Sequence, residues 1–266
     1  MPLKLDVIYN EDCIGEKGMR ILPNNSIDLT VTSPPYDNLR TYGGYKFDFE
    51  PIAQELYRVT KNGGVVVWVV GDATINGSET GTSFKQALYF KKIGFNLHDT
   101  MIFKKLCPLP SANFLRYRQE FEYMFVLTKD KPKVFNAIQE KCKQVGRIPY
   151  SKYRYPNGLT KLQNTLEPTK ENKIKGNVWT YDVGYMKSTK DKIAFKHPAT
   201  FPEQLAEDHI LSWSNENDIV LDPMFGSGTI LKMAKKNNRH YIGYEINSKY
   251  CPIAKARLLA EKTLWD

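Results

Sequence analysis

Short apolar runs rich in β-branched residues alternate along the chain with segments whose apolar positions recur at helical spacing. The run VVVWVV at 65–70 is uninterrupted, which is typical of a strand buried on both faces of a parallel sheet. Further strands are predicted at 5–9, 27–31, 96–105, 121–129, 218–222 and 240–246, and helices at 48–60, 83–93, 201–213, 230–238 and 248–262. This alternation predicts an α/β fold with a doubly wound, mostly parallel sheet.

The segment 130–196 has no convincing hydrophobic period, and its charge sets it apart. It holds 15 Lys and Arg against 6 Asp and Glu, whereas the rest of the chain holds 23 of each sign, so it carries the whole net charge of +9. Aromatic residues are interleaved with these cations. Such a surface attracts a polyanion, most commonly nucleic acid. The alternative is a solvated, Lys-rich insertion.

The composition excludes several classes of protein. Apolar residues make up 41% of the chain and charged residues 25%, and no apolar run is long enough to span a membrane. The first residues show no secretory leader. The four cysteines are scattered and form no CxxC pair, which argues against a zinc site and predicts a cytoplasmic protein without a bound metal.

The sequence DPMFGSGT at 222–229 directly follows a predicted strand. A strand, a Gly-x-Gly turn and a helix bring backbone N–H groups close to a ligand. The motif lacks the Lys of a phosphate-binding P-loop and the third glycine of the dinucleotide fingerprint. Glu245, at the end of the next strand, is placed to accept hydrogen bonds from a ribose diol. The pair predicts a nucleoside cofactor. The alternative is a structural turn and an unrelated surface Glu.

The sequence TSPPY at 32–36 also follows a predicted strand, which the two prolines must end. They fix the backbone, so one carbonyl and the Ser33 hydroxyl point in set directions, and Tyr36 adds a flat aromatic face. This set suits a nucleobase extruded from its duplex. The alternative is a simple turn. Because ligands bind at the carboxyl ends of strands in such sheets, both motifs are expected at one edge.

Together the two motifs and Glu245 resemble the amino-methyltransferases of DNA restriction-modification systems. The order of TSPPY first, a basic segment next and FGSGT near the end is that of the family's β group. The resemblance implies a seven-stranded S-adenosylmethionine-dependent methyltransferase fold. It divides the chain into a catalytic half at 1–129, a target-recognition region at 130–196 and a cofactor-binding half at 197–266.

The resemblance also implies roles for individual residues. The tetrad Ser33, Pro34, Pro35 and Tyr36 is the expected catalytic set, and no metal is involved. The residues expected to bind S-adenosylmethionine are Asp12, Phe201, Asp222, Pro223, Phe225, Gly226, Ser227, Gly228, Thr229 and Glu245.

Ser at the first position of the tetrad goes mainly with cytosine N4 in this family, so Ser33 favours cytosine as the target. The base nitrogen would attack the sulfonium methyl directly, with no covalent enzyme adduct. Three alternatives stay open: adenine N6 as the target, a methyltransferase acting on RNA or protein glutamine, and a non-catalytic DNA-binding module.

Double-stranded DNA is the expected partner, and the protein is expected to be a monomer or a homodimer. A cognate restriction endonuclease is a second candidate partner. Phosphate contacts are expected from Lys170, Lys173 and Lys175. Arg147 and Arg154 are candidates for base contacts, since a guanidinium can bind guanine O6 and N7 together. A second candidate region for DNA contact is 106–120, with Arg116 and Arg118.

Overall fold

The computed structural model describes residues 3–37, 47–106, 115–148, 150–164 and 167–262. The interior of the 106–120 segment, at 107–114, therefore lies outside the described residues. The strands are β1 Val7–Tyr9, β2 Ile27–Thr32, β3 Thr60–Val70, β4 Thr74–Ile75, β5 Ser78–Glu79, β6 Asn96–Lys105, β7 Phe121–Thr128, β8 Gln139–Lys141, β9 Tyr150–Arg154, β10 Thr160–Asn164, β11 Asn172–Ile174, β12 Val178–Tyr181, β13 Ile219–Asp222 and β14 His240–Tyr244. The helices are α1 Phe49–Val59, α2 Thr82–Lys92, α3 Glu203–Trp213, α4 Thr229–Lys236 and α5 Cys251–Ala260.

One large sheet has the strand order β1-β14-β13-β2-β3-β7-β6-β12. Neighbouring strands are parallel except at β7, which runs antiparallel to both β3 and β6. The mostly parallel α/β sheet predicted from the sequence is confirmed. Its seven expected strands are all present, and β12 adds an eighth at the edge beside β6.

The sheet is buried on both faces, as the apolar run in β3 predicts. Val66, Trp68 and Val70 pack with residues of α1 and α2 in one core cluster. Val65, Val67 and Val69, which point to the opposite face, are also almost fully buried. The indole N–H of Trp68 donates a 2.8 Å hydrogen bond to buried Gln86, so the largest core side chain leaves no polar atom unpaired. None of the described helices is long and apolar enough to cross a bilayer.

The chain divides into two compact units, residues 1–136 with 177–266, and residues 137–176. The second unit is shorter than the predicted segment 130–196. Near the carboxyl end it stops at residue 176, because β12, which follows, belongs to the large sheet. Within it, β9 pairs antiparallel with β10 and β8 with β11. The sequence showed no period here because these ribbons are short and the side chains described in them are exposed, so no apolar face is required there.

Candidate active site

The two motifs meet at one edge of the sheet, as predicted. Val220 and Leu221 of β13 lie opposite Leu29 and Thr30 of β2. One step further along, the Thr32 hydroxyl donates a 2.8 Å hydrogen bond to Oδ1 of Asp222, across 190 residues of sequence. TSPPY and DPMFGSGT therefore begin side by side, because adjacent parallel strands end at the same edge.

A cleft of about 790 Å³, counted with its open mouth, lies at this edge and falls within the usual range for small-molecule sites. It brings together members of both motifs and the amino-terminal acidic turn. The predicted residues that line it are Asp12, Pro35, Pro223, Gly226 and Glu245. The other lining residues are Cys13, Ile14, Phe47, Asp48, Ile52, His197, Met224, Ile246, Asn247 and Tyr250.

Glu245 joins the glycine turn to the end of β14. Its Oε2 accepts a 3.0 Å hydrogen bond from the Gly226 N–H and its Oε1 a 2.8 Å bond from the Asn247 N–H. Burial raises the pKa of this carboxyl above its ordinary value, and the two backbone donors oppose that rise. A carboxylate offers about four lone-pair sites. The two that remain can accept from the hydroxyls of a ribose, so this residue fits a nucleoside cofactor.

Asp222 is buried beside the cleft, with 3% of its surface exposed. Its Oδ1 accepts from Thr32 at 2.8 Å and from the Met224 N–H at 3.1 Å. Burial raises its pKa from 3.8 to about 7, and the charge of Glu245 adds to the rise. Two acids in one poorly solvated site attract a cationic ligand, because a nearby positive charge relieves both.

Phe225 and Gly228 of the glycine motif do not line the cleft but stabilise the turn. Phe225 is buried in a small apolar cluster with Leu231 and Ala254. Gly228, at φ +77°, caps α4, and a Cβ there would lie 2.7 Å from the Cβ of Ala254. Only glycine combines this backbone conformation with so close an approach.

Ser227 and Thr229 were predicted to bind the cofactor, and the structure places both under the turn against Arg257. The guanidinium donates to the Ser227 carbonyl at 2.8 Å and to Oγ1 of Thr229 at 2.9 Å. It also forms ion pairs with Asp191 at 2.9 Å and Glu203 at 2.7 Å. These side chains stabilise the turn and do not line the cleft. The sequence could not show this, because it gave no sign of the buried Arg257 beneath them.

Phe201 is half-buried and is not among the residues that line the cleft. His197, from the same stretch, lines it instead. The imidazole Nδ1 lies 2.6 Å from the Ala199 carbonyl oxygen, and the ring packs edge-on against Tyr250 with centroids 4.3 Å apart. Phe47 and Asp48, just before α1, also line the cleft and were not predicted from the sequence. Their position between the TSPPY motif and a predicted helix was the available signal.

The predicted catalytic tetrad lies between the cleft and β7. Pro35 lines the cleft, Pro34 is buried, and Ser33 and Tyr36 are half-buried. The Ser33 Oγ is 2.8 Å from the Tyr36 hydroxyl oxygen, and that hydroxyl donates to Oε2 of Glu122 at 2.8 Å. The partner Glu122 is a further residue that the sequence analysis missed.

Cys13 also lines the cleft, but its surroundings disfavour the thiolate form. Burial, with a contribution from the negative charge of Asp12, raises the pKa of its thiol to about 12. The reactive thiolate is therefore scarce at neutral pH. Among the described residues, no cluster of three or more His, Cys, Asp or Glu side chains is arranged to hold a metal ion.

The predicted DNA-contacting residues are spread over several segments. In the second unit Lys170, Arg147 and Arg154 are exposed, and Lys173 pairs with Glu140 across β8 and β11 at 2.9 Å. Lys175 is half-buried, and its N–H bonds to the Ile138 carbonyl.

The two arginines of the 106–120 segment each have an acidic partner. Arg118 pairs with Glu120 at 2.7 Å, and Arg116 lies 3.6 Å from Glu79 while donating to the Gly77 carbonyl. Part of the positive charge here is therefore already compensated within the protein.

Comparisons with known proteins identify the family of this chain. The family model for DNA methylases, which covers the N6 and N4 amino-methyltransferases, matches residues 27–256. The orphan methyltransferase M.BamHII of Bacillus amyloliquefaciens is 59% identical over 237 residues, which is 88% of this chain and 89% of that protein. The type II methyltransferase M.HpaI of Haemophilus parainfluenzae is 31% identical over 94% of this chain and 74% of its own length.

Two solved structures share the fold. The PvuII DNA methyltransferase, described as cytosine-N4-specific, has a TM-score of 0.68 at 19% identity and covers 96% of this chain and 86% of its own. The complex of M1.HpyAVI with S-adenosylmethionine has a TM-score of 0.61 at 23% identity and covers 94% and 98%. The fold and site thus define an α/β methyltransferase. The chain belongs to the DNA amino-methyltransferases that its motifs indicated, a family whose cofactor is S-adenosylmethionine.

Proposed function

We propose that this protein transfers the methyl group of S-adenosylmethionine to N4 of a cytosine flipped out of double-stranded DNA. The observation that carries the proposal is the Thr32–Asp222 hydrogen bond, which fixes the tetrad and the cofactor cleft side by side. Ser33 at the head of the tetrad supports cytosine as the base. The half-buried position of Ser33 and Tyr36 leaves them accessible to a base that enters beside the cleft.

The acidic residues of the cleft would hold the cofactor, which supplies an electrophilic methyl group on a sulfonium centre. Glu245 would accept from the ribose hydroxyls while its backbone bonds keep it oriented. Asp222 and Asp12 would attract the cationic parts of the molecule. The apolar Ile52 and Phe47 would cover the adenine and exclude water from it.

The tetrad would act on the base. A conjugated amino nitrogen is a poor nucleophile because its lone pair is delocalised into the ring. Hydrogen bonds from its two hydrogens to Ser33 and to the Pro34 carbonyl would favour a pyramidal nitrogen and free that lone pair. They strengthen as positive charge builds on nitrogen, so they stabilise the transition state more than the ground state. The Tyr36 ring would stack on the base.

Nucleoside analysis tests the proposal. DNA from cells that express the protein is digested to nucleosides and compared by mass spectrometry with DNA from cells that express Ser33→Ala. N4-methylcytosine in the first sample alone is the expected result. N6-methyladenine instead would show that the proposed target base is wrong while the proposed reaction class is right. The absence of any methylated base would contradict the proposed methyltransferase activity.

Steady-state kinetics then separate the tetrad from the cofactor site. Ser33→Ala should lower turnover on the order of 10²–10³-fold, the usual cost of losing one transition-state hydrogen bond. Cofactor affinity, measured by calorimetric titration, should stay near that of the wild type. Equal losses of both would place Ser33 in the cofactor site.

We propose further that residues 130–196, and within them the unit 137–176, recognise the DNA target. This unit holds nine Lys and Arg against three Glu. Its β9–β10 hairpin carries exposed Tyr153 and, in the turn, exposed Tyr155, whose rings meet edge-on with centroids 5.0 Å apart. A two-stranded ribbon with exposed aromatic and basic residues has the width and chemistry to enter a DNA groove.

Salt titration of DNA binding tests the recognition proposal. A triple variant in which Gln replaces Lys170, Lys173 and Lys175 should bind DNA more weakly. Each lost phosphate contact should make the slope of log K against log salt shallower by about 0.9. The ion pair of Lys173 with Glu140 predicts that this lysine contributes least. A slope that does not change, with the site preference also intact in Arg154→Ala, would move recognition to Arg116 and Arg118.

A further inference from the structure

A chain of hydrogen bonds leads from the catalytic serine to an ion pair on two neighbouring strands. The Ser33 Oγ is 2.8 Å from the Tyr36 hydroxyl oxygen, and that hydroxyl lies 2.8 Å from Oε2 of Glu122 in β7. The other oxygen of Glu122, Oε1, is 2.6 Å from the Nζ of Lys105 in β6. Both oxygens of this carboxylate are therefore engaged, one by a cation and one by the tyrosine.

The chemistry of the groups fixes the direction of this chain. An ionised carboxylate only accepts hydrogen bonds, so the single hydroxyl hydrogen of Tyr36 must point to Glu122. The Tyr36 oxygen can then only accept from Ser33, so the Ser33 hydroxyl hydrogen points to Tyr36. The Ser33 oxygen then has only lone pairs left with which to bind another group. Toward a base, Ser33 can accept but cannot donate.

The elements that hold Glu122 and Lys105 are rigid. Phe103 and Lys104 of β6 lie opposite Glu122 and Phe121 of β7 in regular antiparallel register. The ion pair is partly shielded, with side-chain exposures of 17% for Glu122 and 23% for Lys105. Such a pair is screened less by salt than one at the open surface. Glu122 thus lies on a fixed support outside the tetrad, 86 residues further along the chain than Tyr36.

We propose that Glu122 is a positioning residue that sets the hydrogen-bond polarity of Ser33, and that this polarity makes the site select a base edge bearing –NH2 over one bearing a carbonyl oxygen. An amino group donates to the lone pairs of Ser33. A carbonyl at the same place would face them without a hydrogen between, which leaves both oxygens desolvated and unpaired. The proposal rests on the proposed function, because it assumes that the flipped base meets Ser33.

Glu122→Gln tests the polarity without changing the shape of the side chain. The amide oxygen should turn to Lys105, so its –NH2 would donate to the Tyr36 oxygen. The Tyr36 hydroxyl would then donate to Ser33, and the Ser33 hydroxyl would point at the base amino group. Turnover should fall on the order of 10–100-fold, less than for losing a direct contact. Cofactor affinity by calorimetry should not change, which also shows that the variant is folded.

A double-mutant cycle shows whether Glu122 acts through Tyr36. Tyr36→Phe keeps the ring and removes the hydroxyl, so it cuts the chain. If Glu122 acts only through this hydroxyl, adding Glu122→Gln to Tyr36→Phe should lower turnover little further. A merely structural role predicts losses that multiply. The exposed Glu216→Gln, the same chemical change outside the site, is the matched control and should match the wild type.

The selection itself is measured by binding. Duplexes carry dC or dU opposite an abasic site, so that neither base is paired, at the position that sequencing shows to be methylated, and affinity is read by fluorescence anisotropy with S-adenosylhomocysteine present. The wild type should bind dC more tightly, and Glu122→Gln should shrink or reverse that preference. If nucleoside analysis finds N6-methyladenine, the matched pair is deoxyadenosine and deoxyinosine.

The outcomes separate the two proposals. A wild type that methylates no amino nitrogen overturns the proposed function. A wild type that does, beside a Glu122→Gln variant with unchanged turnover and an unchanged preference between the paired duplexes, overturns the role of Glu122 alone. Lys105→Met should reproduce part of the Glu122→Gln effect, whereas Lys104→Met, at the exposed neighbouring position of β6, should not.

Discussion

Asp222→Asn should stabilise the free protein at high pH and weaken its hold on a cationic ligand. The asparagine oxygen can still accept from Thr32 and from the Met224 N–H, so the local hydrogen bonds survive. What disappears is a buried negative charge. Because burial raises the pKa of Asp222 from 3.8 to about 7, the folded state binds a proton more tightly than the unfolded state does. The penalty for the charge therefore grows as pH rises between those two values.

The size of the effect follows from the shift. About three pKa units at about 1.4 kcal/mol each give a penalty on the order of 4 kcal/mol above pH 7. At pH 5 most of the penalty is absent, because the carboxyl is still protonated in the folded state, and about 1–2 kcal/mol remains. The stability of Asp222→Asn relative to the wild type should therefore increase by about 2–3 kcal/mol from pH 5 to pH 8.

Urea unfolding of both proteins at the two pH values measures this difference. The comparison cancels the titration of groups that the two proteins share. Adding S-adenosylmethionine at pH 8, without DNA, should stabilise the wild type more than the variant, because only the wild type keeps the negative charge that attracts the cationic ligand. A stability difference that is the same at pH 5 and pH 8 would refute the reasoning about the buried carboxylate.

Three further predictions concern the glycine turn and its support. Gly226→Val should weaken cofactor binding on the order of 100-fold or more in calorimetry, because φ is +49° and a Cβ would lie 2.8 Å from Nε2 of His197; wild-type affinity would show that the turn does not approach the ligand. Glu245→Ala should weaken binding by about 1.5–3 kcal/mol per lost ribose bond, and an unchanged Kd would remove Glu245 from the site. Arg257→Met should cost about 1.5–3 kcal/mol in urea unfolding, since it removes charged hydrogen bonds to the turn and leaves Lys232 as the remaining cation between Asp191 and Glu203; a loss no larger than that of the exposed Lys255→Met would contradict this.

The sequence by itself determined the architecture and indicated which two motifs form the candidate site. Apolar runs of strand length and apolar positions at helical spacing follow from local geometry. They therefore predicted the helices and every strand of the large sheet except β12. Both motifs follow strands, and the carboxyl ends of parallel strands share one edge. That is why Ser33 and Asp222 could be placed together across some 190 residues of sequence before any coordinate was known.

Only the tertiary structure decided which side chains line the cleft and which stabilise its wall from outside. Ser227 and Thr229 belong to the motif but bond to Arg257, a partner 28–30 residues further along the chain. The eighth strand exists because β6 offers β12 a free edge, and the alternation of exposed residues with buried Trp179 and Tyr181 is only four residues long, which is too short to predict a strand by itself. Glu122 reaches Tyr36 because β7 runs antiparallel beside β3. Contacts of this kind depend on the register between strands, and register is set by the assembled sheet and not by the neighbours of a residue in sequence.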